Sequence, residues 1–299
     1  MSEDAEVIIL SKSLLYELVG SVGLPRDRFH NLFYLIFHSV TDRLARIGVT
    51  FNRNVAEVGF SRAMGLALPD FVRAIGERGV RVTPPEGPLL VVSNHPGTYD
   101  SLIITSRLRR DDACIISGDI PFLKKMPEAH RHFFFTAPDP LARALAARKA
   151  IRHLQGGGAV LMYGYGSIDP DPAVYPDAEQ HIEHWSPSLD LFLKSVPEAS
   201  LLICIVSHVV SPKWRHSLLY WLRRKPLDRR RLVEFGQVMF QLLFPRKLML
   251  SPFISFGPPV GLPELRRESG SDRVLPAIIR RGKSLLAEHM AWTKSFAQK

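Results

Sequence analysis

Residues 91–102 read VVSNHPGTYDSL. An apolar run from Leu89 to Ser93 predicts a buried strand, and Asp100 to Arg109 predicts a helix. Between them Asn94-His95-Pro96-Gly97 breaks the chain. On an uninterrupted helix, side chains five positions apart diverge by roughly 140°. The Pro-Gly turn removes that obstacle and lets Asp100, in the first helical turn, face back toward His95. A carboxylate on one imidazole nitrogen fixes the tautomer and stabilises the imidazolium, so the pair suits general base catalysis. No nucleophilic residue adjoins it, so the substrate would supply the nucleophile, for example a hydroxyl. The same residues also fit a loop histidine and an ordinary helix-start aspartate; strand, turn and helix start together favour the pair.

Working outward, short apolar runs alternate with helical ones. Further strands are expected at 114–117, 133–136, 159–163, 201–207 and 253–256, with helices at 141–155 and 187–195. That alternation predicts an α/β fold: a central mixed, largely parallel sheet flanked by helices. Ligands of such sheets sit beyond the carboxyl ends of the strands, where Asn94–Tyr99 falls. Residues 1–84 read as an N-terminal helical segment. Leu32, Leu35, Ile36, Val40, Leu44 and Ile47 fall at helical spacing before a stop at Gly48, and a second helix is expected around Val58–Ala67. Their apolar stripes suit packing, although Phe29, Phe33 and Phe37 also fit membrane contact. The turn-rich TPPEGP, 83–88, separates this segment from an α/β domain over 85–299.

The 299 residues carry a formal net charge of +10 and a pI near 9.8, which favours an anionic partner. Much of the excess lies in a basic aromatic insert at about 211–250. There Lys213, Arg215, Arg223, Arg224, Lys225, Arg229, Arg230, Arg231, Arg246 and Lys247 face only Asp228 and Glu234, interleaved with Trp214, Tyr220, Trp221 and Phe240. Aromatic and basic residues together suit an anionic headgroup layer. Nucleic acid is disfavoured for want of a binding motif. Cys114 and Cys204 sit in apolar runs and read as buried, reduced thiols. The acidic start MSEDAEV reads as neither secretory signal nor transit peptide, and no apolar run approaches a membrane span. A cytoplasmic protein, peripheral on the inner face of a membrane, is expected.

NHPGTYD resembles the H-x-x-x-x-D block of the glycerophospholipid (PlsC-like) acyltransferase superfamily. Later segments are similar in order: ACIISGDIPFLKKMPEAHRHFFF, GGGAVLMYGYGSIDP, LLICIVSHVVSP and FISFGPPVGLPEL, over roughly residues 85–265. The resemblance implies an O-acyltransferase that moves a fatty acyl group from acyl-CoA or an acyl carrier protein to a hydroxyl of a lipid or other acceptor. The thioester would be a co-substrate, and no cofactor or metal is implied. Carried over, His95 is the base and Asp100 its orienting partner, and the acceptor attacks without a covalent acyl-enzyme. Asn94, Thr98, Lys124, Tyr165, Gly166 and Ser167 are the expected substrate-binding residues. In the third block Tyr165 stands for the family's glutamate and Ile168 for its arginine, while Gly166 and Ser167 match; this argues against a phosphate-bearing acceptor. Lys124, Lys125 and Arg131 offer replacement charge, or are surface residues. The altered block leaves two alternatives: a non-catalytic lipid- or acyl-chain-binding protein, and a thioesterase.

Two other features carry weaker signals. His181 and His184, three apart with Asp177 and Glu183 nearby, could present both imidazoles to a metal from one helical turn, but without a Cys/His framework they read as a surface or pocket-rim cluster, suited to acceptor recognition if it lies near His95. The glycines at 156–158 end a helix rather than cradle a phosphate, since no helix with a Lys-Ser/Thr pair follows.

Overall fold

The computed structural model describes residues 2–21, 30–221 and 225–297; the side chains of 16–36 and 297 lie outside it. Phe29, Arg223 and Arg224 are outside the described residues, as are the side chains of Leu32, Phe33, Leu35 and Ile36.

Among the described residues seven strands form one sheet: β1 (Gly76–Arg78), β2 (Leu89–Ser93), β3 (Cys114–Gly118), β4 (Phe133–Thr136), β5 (Ala159–Tyr163), β6 (Ser200–Ser207) and β7 (Phe253–Phe256). Their order is β1-β7-β6-β2-β5-β3-β4. Only β6 and β7 run antiparallel to each other. The sheet is thus mixed and largely parallel, as the alternating pattern predicts. The helices of eight or more residues are α1 (Glu3–Ser21), α2 (His30–Val58), α3 (Phe60–Ala67), α4 (Asp100–Leu108), α5 (Pro140–Gln155), α6 (Ser188–Ser195), α7 (Pro226–Leu243), α8 (Leu262–Ser269) and α9 (Leu275–Ala297).

Strand β2 is central, and all five of its residues are buried. That is why LLVVS lacks polar alternation: a parallel strand covered on both faces is apolar throughout. Leu89 and Val91 pack into a core with α1–α4 and α7, while Leu90 and Val92 pack into a second core with α5, α6, α8 and α9. Leu202, Cys204 and Val206 of β6 join the first core, and Leu201, Ile203 and Ile205 the second, following the two-residue period of a strand. Helix α5 starts with Asp139 accepting from the Ala142 N–H at 2.8 Å and Pro140 in the first turn.

Two sequence expectations need correction. Gly48 does not stop α2, which runs on to Val58, because Gly48 lies where the helix meets the Phe122 ring; a Cβ there would come 2.5 Å from Phe122 Cζ. The edge strand β1 was not expected. Its three residues Gly76-Glu77-Arg78 are half-buried or exposed and show no apolar pattern, and pairing with β7 alone makes them a strand.

Candidate active site

His95 follows directly on β2, and Asp100 opens α4. The turn through Pro96-Gly97 brings His95 Nδ1 to 2.8 Å from Asp100 Oδ2. Asp100 is fully buried, yet its charge has partners. It accepts from the imidazole, from the Gly97 N–H at 3.2 Å and, through Oδ1, from the Tyr163 hydroxyl at 2.7 Å. Tyr163, the last residue of β5, also stacks on the imidazole, with centroids 3.9 Å apart and planes within 14°. The ring is therefore held at one nitrogen and on one face, leaving Nε2 to exchange a proton.

The loop after β5 fixes the backbone of the same residue. His95 N–H donates to Asp169 Oδ2 at 2.9 Å, and Asp169 N–H donates to the His95 carbonyl at 2.7 Å. On the other side α7 contributes Glu234, buried to 6% exposure, whose Oε1 accepts from the Thr98 N–H at 2.7 Å. Gln241 of α7 accepts from the Tyr99 hydroxyl.

These groups set the electrostatics. Burial works to lower the His95 pKa but is outweighed by the charge and hydrogen bond of Asp100, with further help from Asp169 and Glu234, so it is raised. Burial pushes the Glu234 carboxyl up, against the Thr98 hydrogen bonds and the nearby imidazole. Burial, then the Asp100 charge, pushes the Tyr163 hydroxyl well above its ordinary range, so it acts as a donor to Asp100. Cys114 and Cys204 are buried, and burial pushes each thiol up to about 12, which keeps both protonated.

His95 lies on the wall of a cavity of about 640 Å³. Val40, Leu44, Ile47 and Phe51 of α2 form one side, with Val238, Met239 and Leu242 of α7 on another. His95, Thr98 and Glu234 supply a polar patch in an otherwise mainly apolar lining, in which the described residues include no lysine or arginine.

The remaining expected site residues are dispersed. Thr98 lines the cavity. Asn94 does not: its amide donates to the Val206 carbonyl at 2.8 Å and its oxygen accepts from the Val206 N–H at 2.9 Å, so its carboxamide fastens β2 to β6. Lys124 pairs with Asp119 and lies 5.5 Å over the Phe135 ring, outside the cavity lining. Arg131 pairs with Glu128 at 2.9 Å, and Lys125 likewise does not line the cavity. Tyr165 packs against His181 at 4.6 Å, Gly166 is exposed in a left-handed turn at φ 74°, and Ser167 accepts from Arg231 at 2.8 Å. Ile168 lines the cavity.

In the rim cluster, Asp177 pairs with Arg230, His181 sits 3.3 Å from Asp169 Oδ1 and from Arg230, and Glu183 pairs with Lys283 at 2.8 Å. Among the described residues no group of three or more His, Cys, Asp or Glu is placed to hold a metal.

No family model matches the chain, and no curated protein matches it. Among the solved structures similar to this chain is the crystal structure of the 1-acyl-sn-glycerophosphate (LPA) acyltransferase PlsC from Thermotoga maritima, at 14% identity and a TM-score of 0.42 over 96% of this chain and 97% of that one. The chemistry of the site therefore rests on this chain's own side chains.

Sequence reading missed Tyr163, Asp169 and Glu234. The first two sit among the quoted segments but carry no local spacing to His95. Glu234 did leave a signal: it is one of two acids in a strongly basic stretch, and with Gln237 and Gln241 it marks a polar stripe at helical spacing.

Proposed function

We propose that the chain is an acyltransferase, carrying a fatty acyl group from a thioester of CoA or an acyl carrier protein to an acceptor hydroxyl. The observation that carries this reading is the oriented imidazole of His95 opening on a large apolar cavity. His95 Nε2 takes the proton of the acceptor O–H as its oxygen attacks the thioester carbonyl carbon. Collapse of the tetrahedral intermediate breaks the C–S bond, and the imidazolium returns its proton to the departing sulfur. Asp100 holds the tautomer and balances the charge of the imidazolium. The acyl chain occupies the apolar cavity, where burial of each methylene contributes about 0.8 kcal/mol. The ordered sequence blocks support the same reading. With Ile168 adding aliphatic wall, that position offers a phosphate no cation.

Purified protein given acyl-CoA and a panel of lipid alcohols tests the reading. His95→Ala is expected to lower transfer by roughly 10²–10⁴-fold, the usual range for a general base. Equal turnover by the two proteins would remove His95 from the mechanism.

A second reading, a non-catalytic carrier of acyl chains, is favoured by the cavity alone. It expects acyl-chain binding unchanged in His95→Ala and no acylated product from any acceptor. Thioesterase action, with water as the acceptor, would instead release free fatty acid.

The proposed setting is the surface of an anionic membrane. Leu218 and Trp221 are 85% and 70% exposed, and the Arg229 guanidinium lies 5.7 Å over the Trp221 ring. Trp214 and Tyr220 pack partly against the core instead, so only part of the aromatic set faces outward.

A further inference from the structure

Helix α7 belongs to the basic insert, yet its inward stripe is polar: Glu234, Gln237 and Gln241 are all buried. Unpartnered, three such groups would be strongly destabilising. Each is instead bonded to the loops at one end of the sheet. Gln237 accepts from Ser211 N–H at 2.7 Å and donates to the Val209 carbonyl at 2.9 Å. Gln241 accepts from the Tyr99 hydroxyl and donates to the carbonyls of Phe71 and Leu248. Glu234 takes the Thr98 N–H and packs on the turn itself; a Cβ at Gly97 would lie 3.3 Å from Glu234 Cγ. Thr98 and Tyr99, the two residues before Asp100, are thus both held by α7.

A glutamine would satisfy the Thr98 N–H as well as a glutamate does. The carboxylate brings a charge as well, into a mainly apolar cavity and beside a histidine that already has Asp100. We infer that Glu234 is a positioning residue of the His95 site: it pins the turn that presents the imidazole and, with Asp100 and Asp169, sets the negative field in which the imidazolium forms. The groups facing His95 are Asp100 on α4, Tyr163 on β5, Asp169 in the loop after β5, and Glu234 on α7. Those facing Glu234 are Thr98, Tyr99, His95 and Asp100. The inference rests on the acyltransferase reading only for its use in catalysis. The contacts and the field are measurable without turnover.

The test compares the full-length protein with Glu234→Gln and Glu234→Ala by NMR, following exchange of the Thr98 amide and titration of the His95 ring. Glu234→Ala is expected to speed Thr98 exchange about tenfold or more, the loss of one buried hydrogen bond, while Glu234→Gln stays close to wild type. Glu234→Gln removes a negative neighbour without changing shape, so its His95 midpoint should fall below the wild-type value. A merely structural glutamate would leave that midpoint in place in a folded Glu234→Gln protein. Unchanged Thr98 exchange in Glu234→Ala, or an unmoved or higher His95 midpoint in Glu234→Gln, overturns the inference. Absence of acyl transfer by the wild-type protein, with both NMR results as expected, would instead defeat the proposed function alone.

Discussion

At the scale of residues, Asp100 is the anchor of the site, since three donors converge on one buried carboxylate. An asparagine there would turn an N–H toward at least one of those donors, and where it donates to Nδ1 it selects the wrong ring tautomer. Asp100→Asn is therefore expected to lower kcat by about 10³-fold or more, comparable to the same change in a hydrolase triad, measured by product formation at saturating substrate. The raised pKa of His95 gives a second prediction. The base form appears as pH rises through that value, so the acid limb of kcat/KM should lie above the ordinary histidine value. Stability moves the other way. A histidine raised on folding stabilises most below its unfolded pKa, and that contribution is lost as pH rises through the folded value. An acid limb below the ordinary histidine pKa would contradict the assignment. His95 and Asp100 were legible because they are five positions apart, so one turn determines their meeting. Tyr163 lies 63 positions from Asp100, Asp169 lies 74 from His95, and Glu234 lies 136 from Thr98. Contacts of that range arise from strand order, which no local pattern encodes.

At the scale of elements, the six longer strands were readable because each carries an apolar run, wholly buried in β2 and half-buried in the edge strand β4. Strand β1 was not, because Gly76-Glu77-Arg78 carries no apolar residue and is a strand only through its pairing with β7. Gly48 misled for a related reason. Glycine commonly follows a helix end, but here it admits the Phe122 ring against the middle of α2, beside the cavity. Gly48→Leu should consequently crowd Phe122 and Met126 and fill part of the acyl space. Stability alone is a poor readout, because the gain in helix propensity of about 1 kcal/mol opposes the clash. The expected result is a fall in kcat/KM for long-chain donors larger than that for short-chain donors. A chain-length profile identical to wild type would place the acyl group elsewhere.

At the scale of the whole molecule, charge and exposed apolar groups coincide on the insert. Lys213, Leu218, Trp221, Lys225, Phe244 and Arg246 are all exposed. Among the described residues no helix is long and apolar enough to cross a membrane. Replacing both Leu218 and Trp221 by serine should weaken binding to vesicles containing anionic phospholipid by about tenfold or more, given the apolar area withdrawn. Raised salt should weaken the wild type further. Sedimentation with vesicles measures both, and undiminished binding by the double variant would move the contact to another face. The sequence announced the charge of this insert but not its inner role. One side of α7 packs into the core and reaches the His95 loop, so the segment is part of the site as well as of the surface.

The pairing of β1 with β7 also bears on how the chain is made. Gly76–Arg78 finds its partner only when Phe253–Ser255 has been synthesised, and such distant pairing slows folding. On a translating ribosome β1 must therefore wait through most of the chain's synthesis before its only strand partner exists. A nascent chain interrupted before Phe253 would lack β7 and leave both β1 and the flank of β6 without a neighbour. Such fragments should require chaperone capture or be degraded, which makes the β7 segment decisive for the solubility of the strands made before it.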